Sequence, residues 1–538
     1  MNAPPTEYSP TVANMVRRIA KQFGSKKAII TSERYVTYTE LEVLSRNIAK
    51  RMVQAGIGKG SRVGIMFPNG PEWVSAFFAA ARIGAVVVPM STFYKPGEMQ
   101  RVLRLADVQI LLFSPNMFGS PQEAALEDAI PGLRETDSSA LFLNSVPALR
   151  ALWIWGPTDR AWAVPFDDSV PVGPVSDTLI DELETEVTPS DLVVIIHTSG
   201  TSADPKGVLH THGAVVRHSQ QLARWGAPSA PLRYIGTEER TLLSQPFFWV
   251  AGLIQDLLAM LHVGGTMLLQ DRFDADAAWQ LVQREHATKI SQATYIRFLA
   301  RPDVLEKLGS LKSLRLPTST GPRHGACGMT ETLSNHTHPQ GEFDNILPPH
   351  LTGSAGKPVP FMQHRIVDPD TGHDVEEGTP GLLLVRGYAL MAGMNKRERE
   401  EVFDENGWYP TGDQCMMRNG YLFFVDRYGG MIKTSGANVS PAEVEKVLLS
   451  MPEIAQATVV GIPDAARGQL VAAAVVAAPG SVIDVSAVVS RAKQQLSTFK
   501  VPKKLKIYTD DEFPRLANGK PDKLLLLEAF GDEDEPPR

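Results

Sequence analysis

The apolar run Leu192-Val-Val-Ile-Ile196, followed at once by His197-Thr-Ser-Gly-Thr-Ser-Ala-Asp-Pro-Lys-Gly-Val208, constrains the fold more than any other part of the chain. The first part reads as a β-strand. Small hydroxyl residues and glycines at a strand end let backbone N–H groups approach a phosphate closely, and a lysine adds a point charge. The spacing differs from a Walker A loop, because Pro205 and not glycine precedes Lys206. The segment beyond the loop reads as helical. Taken alone, the loop fits an ordinary Ser/Thr/Gly turn equally well.

The alternation around this point is that of an α/β protein. Arg62–Phe67 reads as a strand, Asn69 as a helix cap with Pro71 in the first turn, and Trp73, Phe77, Phe78 and Ala81 as one helical face. Gly84 ends that helix, and the next strand starts at Val86. Similar alternation over residues 104–113, 191–225 and 241–300 predicts parallel sheets covered by helices. No fixed-period repeat is present. Between 381 and 426 the pattern changes to short strands, Gly381–Arg386 and Tyr421–Asp426, separated by turns, which predicts a small β-rich subdomain. A glycine-bearing joint, Arg427-Tyr-Gly-Gly430, follows. Beyond it, Ser440-Pro-Ala-Glu443 reads as a capping box opening a helix that runs to Leu449. Strands near 457–461 and 470–477, a helix from about 485 and a strand at 504–508 complete a compact α+β unit. The expected organisation is a large N-terminal domain, 1–426, and a small mobile C-terminal domain, 427–538, with a disordered tail from Gly531.

Composition removes several alternatives. The 538 residues exceed what one core sustains. Sixty acidic against 53 basic residues give a net charge of −7 without long runs, which argues against nucleic-acid binding. Two cysteines, Cys327 and Cys415, supply neither a disulfide framework nor a cysteine zinc site. The N-terminus lacks a signal-peptide layout. The longest apolar stretch, 253–269, carries Gln255, Asp256 and His262 and is too polar to span a bilayer. A cytoplasmic protein with no integral membrane segment is expected; a homodimer is compatible with this reading.

Three further motifs follow the loop. In Gly328-Met-Thr-Glu-Thr332 a threonine hydroxyl stands beside a carboxylate, a pair suited to phosphate oxygens and Mg²⁺. In Tyr409-Pro-Thr-Gly-Asp413 a carboxylate held by a tight turn suits a ribose diol. Pro514-Arg-Leu-Ala-Asn-Gly-Lys520 presents a lysine beyond Asn-Gly near the C-terminus. Each alone reads also as ordinary surface: an exposed Thr-Glu pair, a turn aspartate, a solvated lysine.

Together and in this order, with Lys433-Thr-Ser-Gly-Ala-Asn-Val-Ser-Pro-Ala-Glu443, these motifs resemble the adenylate-forming superfamily of acyl-CoA synthetases, luciferases and peptide-synthetase adenylation domains, from about Asn14 to Leu525. The resemblance implies a two-step reaction. A carboxylate attacks the α-phosphorus of Mg·ATP to give acyl-AMP and pyrophosphate; the C-terminal domain rotates; the thiol of coenzyme A then attacks the adenylate. By the same likeness, Thr198, Ser199, Gly200, Thr201, Ser202 and Lys206 wrap the β- and γ-phosphates. Gly328 and Thr330 contact the nucleotide, and Glu331 the metal. Asp413 holds the ribose with support from Arg427. Lys520 bridges the substrate carboxylate and the α-phosphate, Lys433 and Gly436 border the thiol channel, and Gly429 is the hinge.

The chain departs from the family pattern in places. Ala203 replaces a glycine of the phosphate loop, and Gly429 replaces the usual Asp or Lys. Trp249, in Gln245-Pro-Phe-Phe-Trp-Val-Ala-Gly252, replaces a common histidine and lines or gates the acyl pocket, or else is a core tryptophan. Only residues 317–327 stand where relatives carry a longer segment, and Cys327 takes the place of an aromatic. A largely apolar, fatty-acid-like substrate is expected. Transfer to a carrier protein, and a catalytically impaired nucleotide- or acyl-binding relative, are the alternatives. The histidines His210, His212, His218, His336 and His338 read as polar surface or loop packing and not as a zinc site.

Overall fold

A computed structural model describes residues 3–139, 141–167, 173–198, 205–224, 236–316, 326–338, 351–427, 430–464, 467–515 and 521–531. The chain forms two compact units. The first comprises Met1–Thr92, Leu103–Ile196 and Gly207–Asp426; the second comprises Phe93–Val102, His197–Lys206 and Arg427–Arg538.

An eight-stranded sheet runs in the order Gly393–Met394, Lys206–Thr211, Leu192–Thr198, Val86–Pro89, Arg62–Met66, Ile110–Phe113, Ala151–Trp155 and Val164–Phe166. From Val194↔Val87 outward the pairs are parallel, and Gly393–Met394 pairs antiparallel with Lys206–Thr211. The predicted β-α-β unit is present. Its helix, Pro71–Arg82, is buried at every residue but Glu72, which explains the apolar or small residues around most of its circumference. Arg82, fully buried at its end, is neutralised by Glu42 at 3.0 Å and Glu184 at 2.9 Å. Asn69 does not cap this helix. Gly70 is the cap residue, and Asn69 is used elsewhere, as described below.

A five-stranded sheet orders Lys289–Ile290, Arg240–Leu242, Thr266–Leu268, Lys27–Ile30 and Tyr35–Thr37, with only the last antiparallel. The expected β-rich portion is an antiparallel four-stranded sheet: Met362–Val367, Gly381–Gly387, Tyr409–Arg418 and Tyr421–Arg427. The apolar stretch 253–269 folds as a π-helix, Gly252–Leu258, then a short helix, Ala259–His262, and the strand Thr266–Leu268. No helix among the described residues is long and apolar enough to cross a membrane.

In the second unit, Ala437–Val439, Ile432–Thr434, Gly468–Ala477 and Ile454–Asp464 pair antiparallel, and Lys504–Tyr508 joins Gly468–Ala477 in parallel. Helix Pro441–Leu449 covers the sheet with Val444 and Leu448 in the core. Only half of the predicted capping box forms. Ser440 Oγ accepts from Glu443 N–H, but the Glu443 carboxylate turns away to Lys500, 2.8 Å distant. Lys500 also meets Glu98 at 2.6 Å, and Ser497 Oγ donates to the same carboxylate at 2.7 Å. A buried ammonium shared by two buried carboxylates outweighs the reciprocal cap.

Candidate active site

The Gly328–Ser334 loop is the best-determined piece of candidate chemistry. Gly328-Met329 pairs antiparallel with Ser334-Asn335, so tightly that a Cβ on Gly328 would lie 2.5 Å from Ser334 O. Only glycine fits. One 3-10 turn, Thr330–Thr332, closes the loop, and Leu333 and Ser334 then take φ of 53° and 86°. Thr332 Oγ1 donates to Ser334 O at 2.9 Å. Two outside groups fix the turn: His210 Nε2 lies 2.9 Å from Thr330 O, and Met391 N donates to Glu331 O at 2.8 Å. His210 is fully buried, and burial lowers its pKa to about 3, so the neutral ring donates. Thr330 and Glu331 keep partial exposure. Tyr409 OH donates to Glu331 Oε1 at 3.3 Å and aims the carboxylate.

Tyr409 lies on the strand that carries Asp413. The expected tight turn is instead an irregularity inside one ten-residue strand, Tyr409–Arg418, whose register against Gly381–Gly387 shifts between Leu382 and Leu384. Gly412, at φ 76°, makes the shift, and Thr411 Oγ1 bonds Leu383 O at 2.9 Å and accepts from Asp413 N at 3.0 Å. Asp413 is buried, 5% exposed.

Trp249 is half-buried, edge-on to Phe248 at 5.7 Å. Its loop is pinned by Asn69, whose amide donates to Gln245 O at 2.7 Å and accepts from Phe247 N at 2.9 Å. Gly252 must be glycine, since a Cβ there would lie 2.0 Å from Pro246 O. The π-helix that follows carries Gln255, whose amide donates to Ser334 Oγ and so ties the Trp249 segment to the Glu331 loop. The next residue, Asp256, has its Oδ2 out of solvent with no hydrogen-bond partner among the described residues. Burial pushes this carboxyl up to about 7 against the pull of Lys289.

The remaining candidates belong to the second unit. Thr198 ends the strand Leu192–Thr198, and Lys206 opens the strand Lys206–Thr211. The segment after the loop is thus a strand first; Thr211 then caps helix His212–Ala223, because Val208 and Leu209 are used to pair with Met394 and Gly393. Lys433 is exposed on a hairpin whose turn residues, Ser435 and Gly436, have φ of 51° and 82°. Arg427 ends the strand Tyr421–Arg427. Ser199, Gly200, Thr201, Ser202, Ala203, Gly429, Lys520, the segment 317–325 and the tail beyond Gly531 lie outside the described residues, as does the Arg427 side chain.

Of the two settings expected for the histidines, polar surface or loop packing, the structure excludes the first: His210, His212, His218, His336 and His338 are all buried. His212 Nδ1 accepts from Val12 N at 3.2 Å, His218 Nδ1 meets Tyr388 OH at 2.9 Å, and His336 Nδ1 meets His364 Nε2 at 3.0 Å. Among the described residues no group of three or more His, Cys, Asp or Glu is placed to hold a metal ion. Sequence reasoning missed Tyr409, His210, Gln255 and Asp256. Tyr409 had a local signal, four residues before Asp413. The others act across the chain and had none.

The AMP-binding enzyme family matches residues 16–394, and the AMP-binding enzyme C-terminal domain matches residues 443–520. The indoleacetate–CoA ligase of Aromatoleum aromaticum is 30% identical over 92% of this chain and 93% of its own. The oxalate–CoA ligase of Arabidopsis thaliana is 28% identical over 97% and 99%. Among solved structures, the amide bond synthetase McbA from Marinactinospora thermotolerans superposes with a TM-score of 0.76 over 96% and 99% at 23% identity, a likeness of fold. The chain belongs to the AMP-binding enzyme family. Within that family it is an acyl-CoA synthetase-like protein with the α/β architecture expected from its sequence.

Proposed function

We propose that the chain joins a carboxylic acid to coenzyme A at the expense of ATP. In the first step a carboxylate oxygen bonds to the α-phosphorus and pyrophosphate leaves. In the second the thiol sulfur bonds to the acyl carbon, AMP leaves, and the thiol proton passes to solvent. Two anions must meet in the first step, so fixed donors and cations lower its barrier. The observation that carries this reading is the clamp on Thr330 and Glu331: a neutral buried histidine and a tyrosine hydroxyl hold a hydroxyl–carboxylate pair beside the strand of a buried aspartate.

In this reading Thr198, the 199–202 loop and Lys206 hold the β- and γ-phosphates, with Gly328 letting the nucleotide approach. Thr330 donates to a phosphate oxygen. Asp413 accepts from the ribose hydroxyls, with Arg427 supporting it. Lys520 neutralises the approaching carboxylate and the α-phosphoryl oxygens. Glu331 would supply a hard oxygen ligand to a Mg²⁺ ion, whose positive charge would offset that of the pyrophosphate. Residues 427–538 act as a lid turning at Gly429, and Lys433 and Gly436 border the thiol's approach. Trp249 lines the acid's pocket, which favours an apolar acid; the acids named for the two ligases above, an aromatic acetate and oxalate, differ widely, so the choice belongs to each pocket. With two cysteines in 538 residues the chain suits the reducing cytoplasm.

Carboxylate-dependent ATP–pyrophosphate exchange across fatty, aromatic and short polar acids tests the reading, followed by detection of the coenzyme A thioester. Exchange and thioester with apolar acids are expected. No exchange with any acid would overturn it, and exchange without thioester would redirect the acyl group to a carrier protein.

A further inference from the structure

A cavity of about 230 Å³ lies in the first unit, lined from the helices Val12–Phe23, His212–Ala223 and Ala259–His262 together with Thr237. None of the residues assigned to adenylation lines it. Its polar lining is one-sided: Arg18, Arg224, Gln22, Gln220 and His262 contribute, and no acidic side chain does. Opposite them Phe23 and Val263 give an apolar wall.

The cations are only partly answered. Arg18 Nη1 meets Glu7 at 2.6 Å and its guanidinium lies over the Tyr8 ring. Arg224 stands 3.9 Å from the same Glu7 carboxylate, beyond hydrogen-bond reach, so one carboxylate faces two guanidinium groups. His262 does not add charge. It is occupied by Ser219 Oγ at 3.0 Å, and burial holds its ring neutral, with Arg18 and Arg224 reinforcing the effect. Gln220, 8% exposed, places its side chain in the lining beside Arg224.

We propose that this cavity is a second small-molecule site, which takes a monocarboxylate with a short apolar body. The uncompensated Arg224 fork pairs with the carboxylate, the Gln220 amide donates to it, and the body lies on the apolar wall. One net positive charge matches one negative charge, and the apolar wall disfavours polyanions such as phosphate.

Isothermal titration of the full chain with butyrate, benzoate and inorganic phosphate tests the site. One-to-one binding of butyrate or benzoate is expected, weakened about tenfold or more in Arg224→Gln and severalfold in Gln220→Leu. ATP–pyrophosphate exchange should be unchanged in Arg224→Gln, whose side chain is largely exposed and outside the adenylation machinery. Binding should persist in Lys520→Ala, which removes the ammonium assigned to the substrate carboxylate and so separates this site from the acid-activating one, keeping the test independent of the proposed reaction. Equal affinity in wild type and Arg224→Gln, no carboxylate binding at millimolar concentration, or phosphate binding as tightly as butyrate would each overturn the proposal.

Discussion

The two turns that carry candidate chemistry are built in opposite ways. The Gly328–Ser334 loop is defined by its surroundings: Gly328 is flush against backbone, five side chains or peptide groups hold the turn, and two non-glycine residues sit in the left-handed region. Left-handed residues cost about 1 kcal/mol or more each and persist only where packing over-determines them. The Ile432–Val439 hairpin has fewer outside supports: Ser435 N donates to Arg467 O at 2.8 Å and Lys433 N to Gln469 Oε1 at 2.7 Å. Its turn, Ser435-Gly436, takes the paired positive φ that matches strand twist, its tip is exposed, and nothing lies within 4 Å of a Cβ at Gly436. The first turn is rigid by packing and suits phosphoryl chemistry, where small displacements are costly. The second relies more on backbone preference and, under the proposed function, suits a group used in one conformation of a moving unit.

The sharpest way to break this contrast is to separate the two half-reactions. Lys520→Ala should lower acid-dependent ATP–pyrophosphate exchange by about 10³-fold, while thioester formation from supplied acyl-AMP stays within a few-fold. Equal loss of both would remove the division of labour.

The next test bears on the packed loop. Gly328→Ala places a methyl group 2.5 Å from a backbone oxygen that cannot move without unmaking the strand pair. An overpacking cost of about 1–3 kcal/mol is expected in thermal or denaturant unfolding, with a large loss of exchange. A variant of wild-type stability and activity would show that the loop yields where packing says it should not.

Much of this contrast was legible beforehand, and the parts that were not have a common cause. Strand Lys504–Tyr508, the ends of helix Pro441–Leu449 and the strands Gly381–Gly387 and Tyr421–Arg427 follow from local periodicity and agree with the sequence reading to within a residue. The motif residues Thr330, Glu331 and Asp413 were each ambiguous alone and were singled out through the order of the motifs and the family resemblance; their roles remain part of the proposal. What failed was long-range. Asn69 looked like a helix cap and instead pins a loop 176 residues away at Gln245. Glu443 looked like a capping partner and was claimed by Lys500. His210 read as polar surface or loop packing and holds Thr330 from inside the core. Local rules see the cheapest nearby partner, whereas burial decides which partner prevails.

The buried histidines offer a solution measurement of that point. His210 and His262 are lowered to about 3, and His212, His218 and His364 to about 4, in each case chiefly by burial. Unfolding releases each to its ordinary value near 6.5, so the unfolded chain binds more protons below that pH. Their contribution to stability is therefore complete above pH 6.5 and is lost as pH falls from 6.5 towards 4 and 3, at about 1.4 kcal/mol per pH unit for each group. Denaturant midpoints should fall steeply across that window. His212→Gln, whose amide can keep the Val12 N–H bond, should flatten the slope by about one proton. A flat profile would mean that these rings protonate in place, and the packed loop with its His210 support would lose its claim to rigidity.

The smallest effect is expected at the hairpin turn. Gly436 sits at φ 82° with open space around it, so Gly436→Ala meets no clash and bears only the backbone penalty, about 1–2 kcal/mol for an L-residue held left-handed. Global stability should drop by less than that, since the hairpin can relax into solvent. Thioester formation should slow a few-fold while exchange is unchanged. Gly436→Asn should sit close to wild type, because asparagine tolerates this region, and Gly436→Val should be the worst of the three. An order that followed side-chain volume in the exchange assay, and not left-handed tolerance in the thioester assay, would mean that packing against a neighbour, and not backbone preference, governs the turn.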